Sequence, residues 1–239
     1  MLTFLRREVK YKISAEQFDV LRKEFAPHLT PDKYYFEKIH NIYYDNIYDE
    51  IIRKSMERPV FKEKLRLRTY ENDGKIFDEV FVEMKNKFDG TVFKRRIKIP
   101  LADGRRLLQG ESPAQILGEG QIAQEIMHFI RKTQCAPKIY ISYDRYSYSG
   151  ENEFRVTFDT NVVSRLVHLD FGSHADDVPQ LLQGEYLIEA KSYFAFPLWF
   201  TNALTKYKIY PESFSKYGRI YERNLAAEAA NPLREVSYV

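Results

Sequence analysis

In KLRLR, Lys64, Arg66 and Arg68 alternate with Leu65 and Leu67, so an extended chain puts three cations on one face and the leucines on the other. The pattern recurs. Glu83, Lys85 and Lys87 oppose Val80, Val82 and Met84 in VFVEMKNK, and Lys94, Arg96 and Lys98 oppose Phe93, Ile97 and Ile99 in VFKRRIKI. Arg6, Glu8, Lys10 and Lys12 share one side of FLRREVKYKI, and later come Arg145 in ISYDRYSY, Arg155 in FRVTFD, and Glu189 with Lys191 in YLIEAK. A solvated face is the ordinary explanation for any one such strand. Its recurrence points instead to faces that converge on one anion. Arg grips phosphate oxygens with paired hydrogen bonds, and Lys supplies a point charge. Glu8, Glu83 and Glu189 then have two readings. They neutralise neighbouring cations, or they hold Mg2+ or Mn2+ beside phosphates through hard oxygen ligands.

Such residues need a wall that turns one face of every strand inward, which a closed barrel does. The spacing predicts strands at 4–13, around HNIYYDN, and at 62–71, 76–88, 91–99, 138–148, 153–163 and 185–192. Turn signals fall at Asn72-Asp73-Gly74 and Asp89-Gly90. Ser14-Ala-Glu-Gln17 is a capping-box pattern opening a helix that Pro27 stops. Further helices are expected near Tyr48–Met56, over 101–134, and near 198–208 and 214–222. Ile122, Ile126, Phe129 and Ile130 form a stripe that must pack on the barrel wall. Residues 168–183 read as an exposed loop and the last dozen as frayed. No repeat or linker divides the chain, so the expectation is one α+β domain over 1–225, an antiparallel β barrel with packed helices, followed by a tail at 226–239.

Composition excludes several classes. With 44% hydrophobic and 30% charged residues the chain is an ordinary globular one, and a net charge of +3 excludes a generic polycation. The single Cys135 excludes an internal disulfide and a multi-cysteine metal site. MLTFLRREVK lacks an apolar run of signal-peptide length, so the expected location is cytoplasmic, with room for a membrane-protein partner. No GxxxxGK[ST], HExxH or GxSxG occurs; Glu125 and His128 make one Glu-x-x-His, short of the two that a di-metal bundle needs, and Trp199 reads as a core anchor. Nucleic acid is not an expected partner, because aromatics such as Phe93 and Phe154 alternate away from the cations and base stacking needs both on one face.

RREVKYKIS, KLRLRTY, VEMKNK then TVFKRR, YDRYSY, RVTFDT, LIEAK and SFSKYG occur in an order that resembles the VTC-type polyphosphate polymerase domain, over about residues 4–222. That domain belongs to the triphosphate tunnel metalloenzymes, with the CYTH proteins. The resemblance implies an eight-stranded antiparallel barrel enclosing a tunnel, where basic walls hold a triphosphate or polyphosphate. It places phosphate or nucleotide binding on Lys10, Lys85, Lys94, Arg96, Tyr143, Lys191, Ser215 and Lys216. It places transfer on Arg66, Arg68, Arg145 and Arg155, and metal binding on Glu189, to which Glu8 is added as a candidate. One departure is Ser213, three positions before Lys216, where yeast-type members carry another lysine. The implied activity is Mn2+- or Mg2+-dependent synthesis of inorganic polyphosphate from the γ-phosphoryl of ATP. A triphosphatase of the same fold and a non-catalytic polyphosphate-binding module are the alternatives. Hydrolytic relatives carry a richer ExExK first strand, reduced here to Arg6-x-Glu8-x-Lys10, which favours the polymerase.

Overall fold

Alternation does produce strands. A computed structural model describes residues 7–230 apart from positions 58, 90, 173, 174 and 182; the expected strand start at 4–6 with Arg6, the Gly90 turn position and the tail beyond 230 lie outside the described residues. In chain order the elements are β1 (Arg7–Ile13), α1 (Ala15–Phe25), β2 (Thr30–Asp45), α2 (Glu50–Met56), β3 (Phe61–Asn72), β4 (Lys75–Ile76), β5 (Glu79–Phe88), β6 (Thr91–Pro100), α3 (Leu101–Leu108), α4 (Pro113–Leu117), α5 (Gln121–Thr133), β7 (Ala136–Ser149), β8 (Arg155–Arg165), β9 (Val178–Pro179), β10 (Tyr186–Ser192), α6 (Leu198–Lys206) and α7 (Lys216–Ala230). One antiparallel sheet runs β1-β10-β8-β7-β2-β3-β5-β6, with the two-residue β4 and β9 as side pairings.

Among the described residues β1 and β6 do not ladder together, so the wall is a strongly curled sheet and not the fully closed barrel expected. The free edge of β1 is partly covered by the chain leading into α7, where Glu212 N–H donates to the Lys10 carbonyl at 2.8 Å. Local chemistry explains the hinges. Ser14 and Gln17 form the expected reciprocal cap on α1. Asp73 and Gly74 both have positive φ, 49° and 75°, which makes the β3–β4 connection a primed hairpin turn. The helical stretch expected over 101–134 breaks into three because Gly110 and Gly118 take φ of 85° and 73°.

Two further expectations are corrected. The short strand around HNIYYDN is the end of a 16-residue β2, whose alternation is disguised by register shifts between Pro31 and Phe36 and between Tyr43 and Tyr44. The segment 168–183 is not a free loop. The buried Arg165 guanidinium donates to the carbonyls of His168, Asp170 and Gly172 and to the Asp177 carboxylate, and Phe171 is buried beneath.

Three apolar clusters hold the sheet. Leu65, Leu67, Val80, Val82 and Met84 pack outside the curl with Ile126 and Phe129 of α5. Phe158, Ile188 and Tyr11 pack outside it under α1 and α6, where Trp199 sits edge-on to Phe25. The third cluster is inside. Ile39, Ile139, Ile141, Val162 and Leu187 meet Ile52 of α2 and Phe214, Tyr217 and Ile220 at α7. The inner face is thus stoppered with hydrocarbon on one side and charged on the rest. Asp45 anchors the stopper: its carboxylate accepts from the backbone N–H of Ile51 and Ile52 and from the Tyr217 hydroxyl.

Candidate functional site

Register decides which charged residues meet. Across β3–β5, Lys64 lies opposite Lys85 and Arg66 opposite Glu83; across β5–β6, Lys85 lies opposite Lys94; across β2–β3, Asn41 and Tyr43 face Arg68 and Arg66. Glu83 is fully buried. Arg66 donates to its Oε2 from Nε at 2.9 Å and from Nη2 at 2.7 Å, and Lys94 pairs with Oε1. Burial alone would raise this carboxyl, yet Arg66, Arg68 and Lys94 bring it down to about 2. Arg66 also donates to the Tyr43 hydroxyl, while Arg68 donates to Asn41 Oδ1 and the Tyr143 hydroxyl.

A second cluster centres on Asp159, 1% exposed. Arg145 grips it with two bonds, 2.6 Å from Nε and 2.8 Å from Nη2, and Lys216 reaches in from the first turn of α7 at 2.5 Å. The carboxyl falls to about 2 because Arg145 and Lys216 outweigh its burial. Lys216 and Arg145 also lie over the Tyr143 ring.

The third cluster spans β1 and β10, where Glu8 pairs in register with Lys191 and Lys10 with Glu189. Lys10 Nζ lies 3.5 Å from Glu8 and 3.7 Å from Glu189, and Lys191 closes on Glu189. Burial would raise the Glu189 carboxyl, but Lys191, Lys10 and Arg145 hold it well below the carboxylate range. For Lys10, burial acts to lower the ammonium and is outweighed by Glu189, Glu8 and Asp159, so it is raised.

The structure therefore brings together Lys10, Arg66, Arg68, Lys94, Tyr143, Arg145, Lys191, Lys216, Glu8 and Glu189, each on a carboxylate or another cluster member. Three expected residues stand apart. Arg155 is at the rim, 45% exposed and paired with Asp32. Arg96 stacks on the Phe81 ring at the exposed edge strand. The Ser215 hydroxyl accepts from Gly218 N–H and so caps α7. Aromatics do not all avoid the cation face, contrary to expectation: Tyr43, Tyr143 and Phe81 share it.

Lys85 and its neighbour Lys64 differ from the rest. Among the described residues neither has a carboxylate partner. Burial pushes Lys64 down to about 8, with Lys62, Lys85 and Lys10 adding to it against the pull of Tyr43, and the Tyr217 ring lies 5.8 Å away. Lys85 is likewise lowered by burial, although Glu8 and Glu189 pull against it. That Lys85 feels β1 and β10 shows how far the sheet curls. Replacing it should therefore separate two properties. Lys85→Ala is expected to leave urea stability unchanged or higher, because repulsion is relieved. It should weaken tripolyphosphate binding about tenfold or more in calorimetry, the value of a charge-assisted bond. On a merely solvated face neither quantity would move.

Asp159, Asn41 and Tyr43 were missed from sequence. Parity could have found Asp159, since it shares a strand face with Arg155 and Thr157 in RVTFD; Asn41 and Tyr43 share a face as well, but neither carries a charge to mark it as the inner one. Glu8 and Glu189 offer hard oxygens on adjacent strands, and no group of three or more His, Cys, Asp or Glu converges among the described residues. That set fits Mg2+ or Mn2+ sharing its coordination with phosphate oxygens and water, and does not fit a metal caged by protein alone.

A curled antiparallel wall whose inner face is lined by cations is the fold of the triphosphate-tunnel proteins. Residues 5–223 match the VTC domain, and the chain belongs to that family. Among solved structures it is similar to a candidate adenylate cyclase from Bacillus halodurans, 15% identical, covering 88% of this chain and 94% of that one with a TM-score of 0.53. It is also similar to PH1819 protein from Pyrococcus horikoshii, 16% identical over 91% and 99% of the two chains, with a TM-score of 0.48. An inorganic triphosphatase, NE1496, aligns at 14% identity over 83% and 84%, with a TM-score of 0.30. No curated protein matches it significantly. No described helix is long and apolar enough to cross a membrane.

Proposed function

We propose that this chain transfers phosphoryl groups inside its basic tunnel, building inorganic polyphosphate from the γ-phosphoryl of ATP. One observation carries the reading. Most tunnel cations are met by an internal carboxylate, but Lys64 and Lys85 lie side by side without one. Two half-buried lysines on paired strands, both lowered first by burial and then by neighbouring cations, are short of an anion, and a linear phosphate chain supplies it. Phosphoryl transfer asks for positioning and charge stabilisation more than for covalent chemistry. Lys10, Lys64, Lys85 and Lys94 hold the phosphate chain. Arg66, Arg68 and Arg145 draw charge from the transferring group, each kept rigid by a carboxylate or amide behind it. Glu189 and Glu8 hold Mn2+ or Mg2+, which supplies Lewis-acid polarisation of phosphoryl oxygens when bound. Arg155, Arg96 and Lys191 set the potential around the mouth.

The apolar stopper under α7 favours one second reading, an inorganic triphosphatase, because a shortened lumen suits short chains. Purified protein incubated with ATP and Mn2+, with products sized on a gel, decides between them. ADP with an acid-stable phosphate ladder and little free phosphate is expected. Stoichiometric free phosphate without a ladder would establish the triphosphatase, and tight polyphosphate binding without turnover would leave a binding module.

A further inference from the structure

The cations of the first cluster meet a group that the phosphate reading does not use. Tyr43 stands on β2 directly opposite Arg66, and its hydroxyl oxygen accepts from Arg66 Nη1 at 2.9 Å. We propose that Tyr43 is the tunnel's own removable counterion: its phenol gives up a proton to form a phenolate while the tunnel holds no polyanion, and takes one back when a phosphate chain enters. This rests on the tunnel binding phosphate chains.

The surroundings are those a phenolate needs. From β3 the guanidinium of Arg66 touches the oxygen, and Lys64 and Arg68 act on it without intervening contact. From β1 Lys10 adds to the field, and from α7 the Tyr217 ring packs against it, 5.3 Å between centroids. On the β7 side its register partner is Ile139, which brings no charge. Of the nearby carboxylates, Glu83 is turned to Arg66 Nε and Nη2 and Asp45 to the α2 N-terminus, so neither meets the phenol. Burial would raise the phenol, yet Arg66, Arg68 and Lys64 bring it down to about 7. Atoms balance simply: the empty tunnel releases one proton to water, and the incoming phosphate anion replaces the phenolate charge so that the proton returns.

The exchange predicts a sign. Above neutrality the phenolate competes with the incoming anion, so tripolyphosphate affinity should fall about fivefold between pH 7 and pH 8 and about tenfold per unit above that, where one proton is taken up per bound chain. Tyr43→Phe keeps the ring and leaves Glu83 on Arg66, so it should fold normally. The experiment is an ultraviolet difference titration of metal-free protein from pH 6 to 9, with and without tripolyphosphate, and with calorimetry on the same samples. Expected is one phenolate band rising near neutrality in the parent, persisting in a Tyr143→Phe control and lost in Tyr43→Phe. Tripolyphosphate should erase it, and the pH dependence of affinity should flatten in the Phe variant. The absence of a band below pH 9, its survival in Tyr43→Phe, or its persistence beside bound tripolyphosphate overturns the proposal and leaves the phosphate reading intact. If tripolyphosphate does not bind at all, the phosphate reading falls together with the exchange, whatever the free protein's titration shows.

Discussion

Arg66→Ala will destabilise the fold by about 3–5 kcal/mol, the cost of stranding a buried charge whose partner has been removed. Glu83 is the reason. It has no solvent exposure, and Arg66 supplies both bonds to its Oε2. Without the guanidinium, the carboxylate keeps Lys94, itself half in solvent, and a 3.9 Å approach from Arg68. Urea unfolding of the parent, Arg66→Ala, Glu83→Ala and the double variant measures the coupling. Recovery of part of the loss in the double variant is expected, since the stranded charge is then gone. A single-variant loss under about 0.5 kcal/mol would place the pair among surface ion pairs and undo the description of a tight lumen. The same reasoning gives an acid limit. Glu83 is depressed to about 2, so its stabilisation is complete above the ordinary carboxylate pKa and drains away as pH falls through that value toward 2.

Glu189→Gln should lower turnover by about a hundredfold or more, the scale seen when a transition-state charge stabiliser is lost, while tripolyphosphate binding holds or tightens. The carboxylate lies between Lys10 and Lys191, and its amide frees both for the incoming anion. Binding by calorimetry and turnover with Mn2+, compared in one preparation, give the answer. Full Mn2+-dependent turnover in the variant would reduce Glu189 to an ion pair within the β1–β10 ladder.

How much of this could be read from residues alone varied with parity. Where a strand runs in unbroken register, as Lys64 to Arg68 and Glu83 to Lys87 do, alternation placed every side chain on its proper face. Where a bulge intervenes, it did not. β2 carries two register shifts that hide its length, while Ile39, Asn41 and Tyr43, in the continuous stretch between them, carry no charge to mark the inner face and went unrecognised. Pairing across the tunnel was also out of reach, because Lys216 meeting Asp159 depends on where α7 docks and not on any local pattern. Ser215 illustrates the opposite failure. Its motif marked it for phosphate, but a serine one residue before a helix serves the helix first. Arg155 obeyed parity and still left the cluster, since its strand begins at the rim.

The pairing of β1 with β10, and the bond from Glu212 to the β1 edge, impose an order of events on the nascent chain. β1 has no lasting partner until β10 has been made. Closure of so long a loop comes late, and an amphipathic strand waiting with an unpaired edge is open to the wrong neighbour in the meantime. The charges on β1 that later line the lumen, Glu8 and Lys10, keep one side of it wetted during that wait. A chain released before residue 186 would carry all of the arginine wall and no means of closing it.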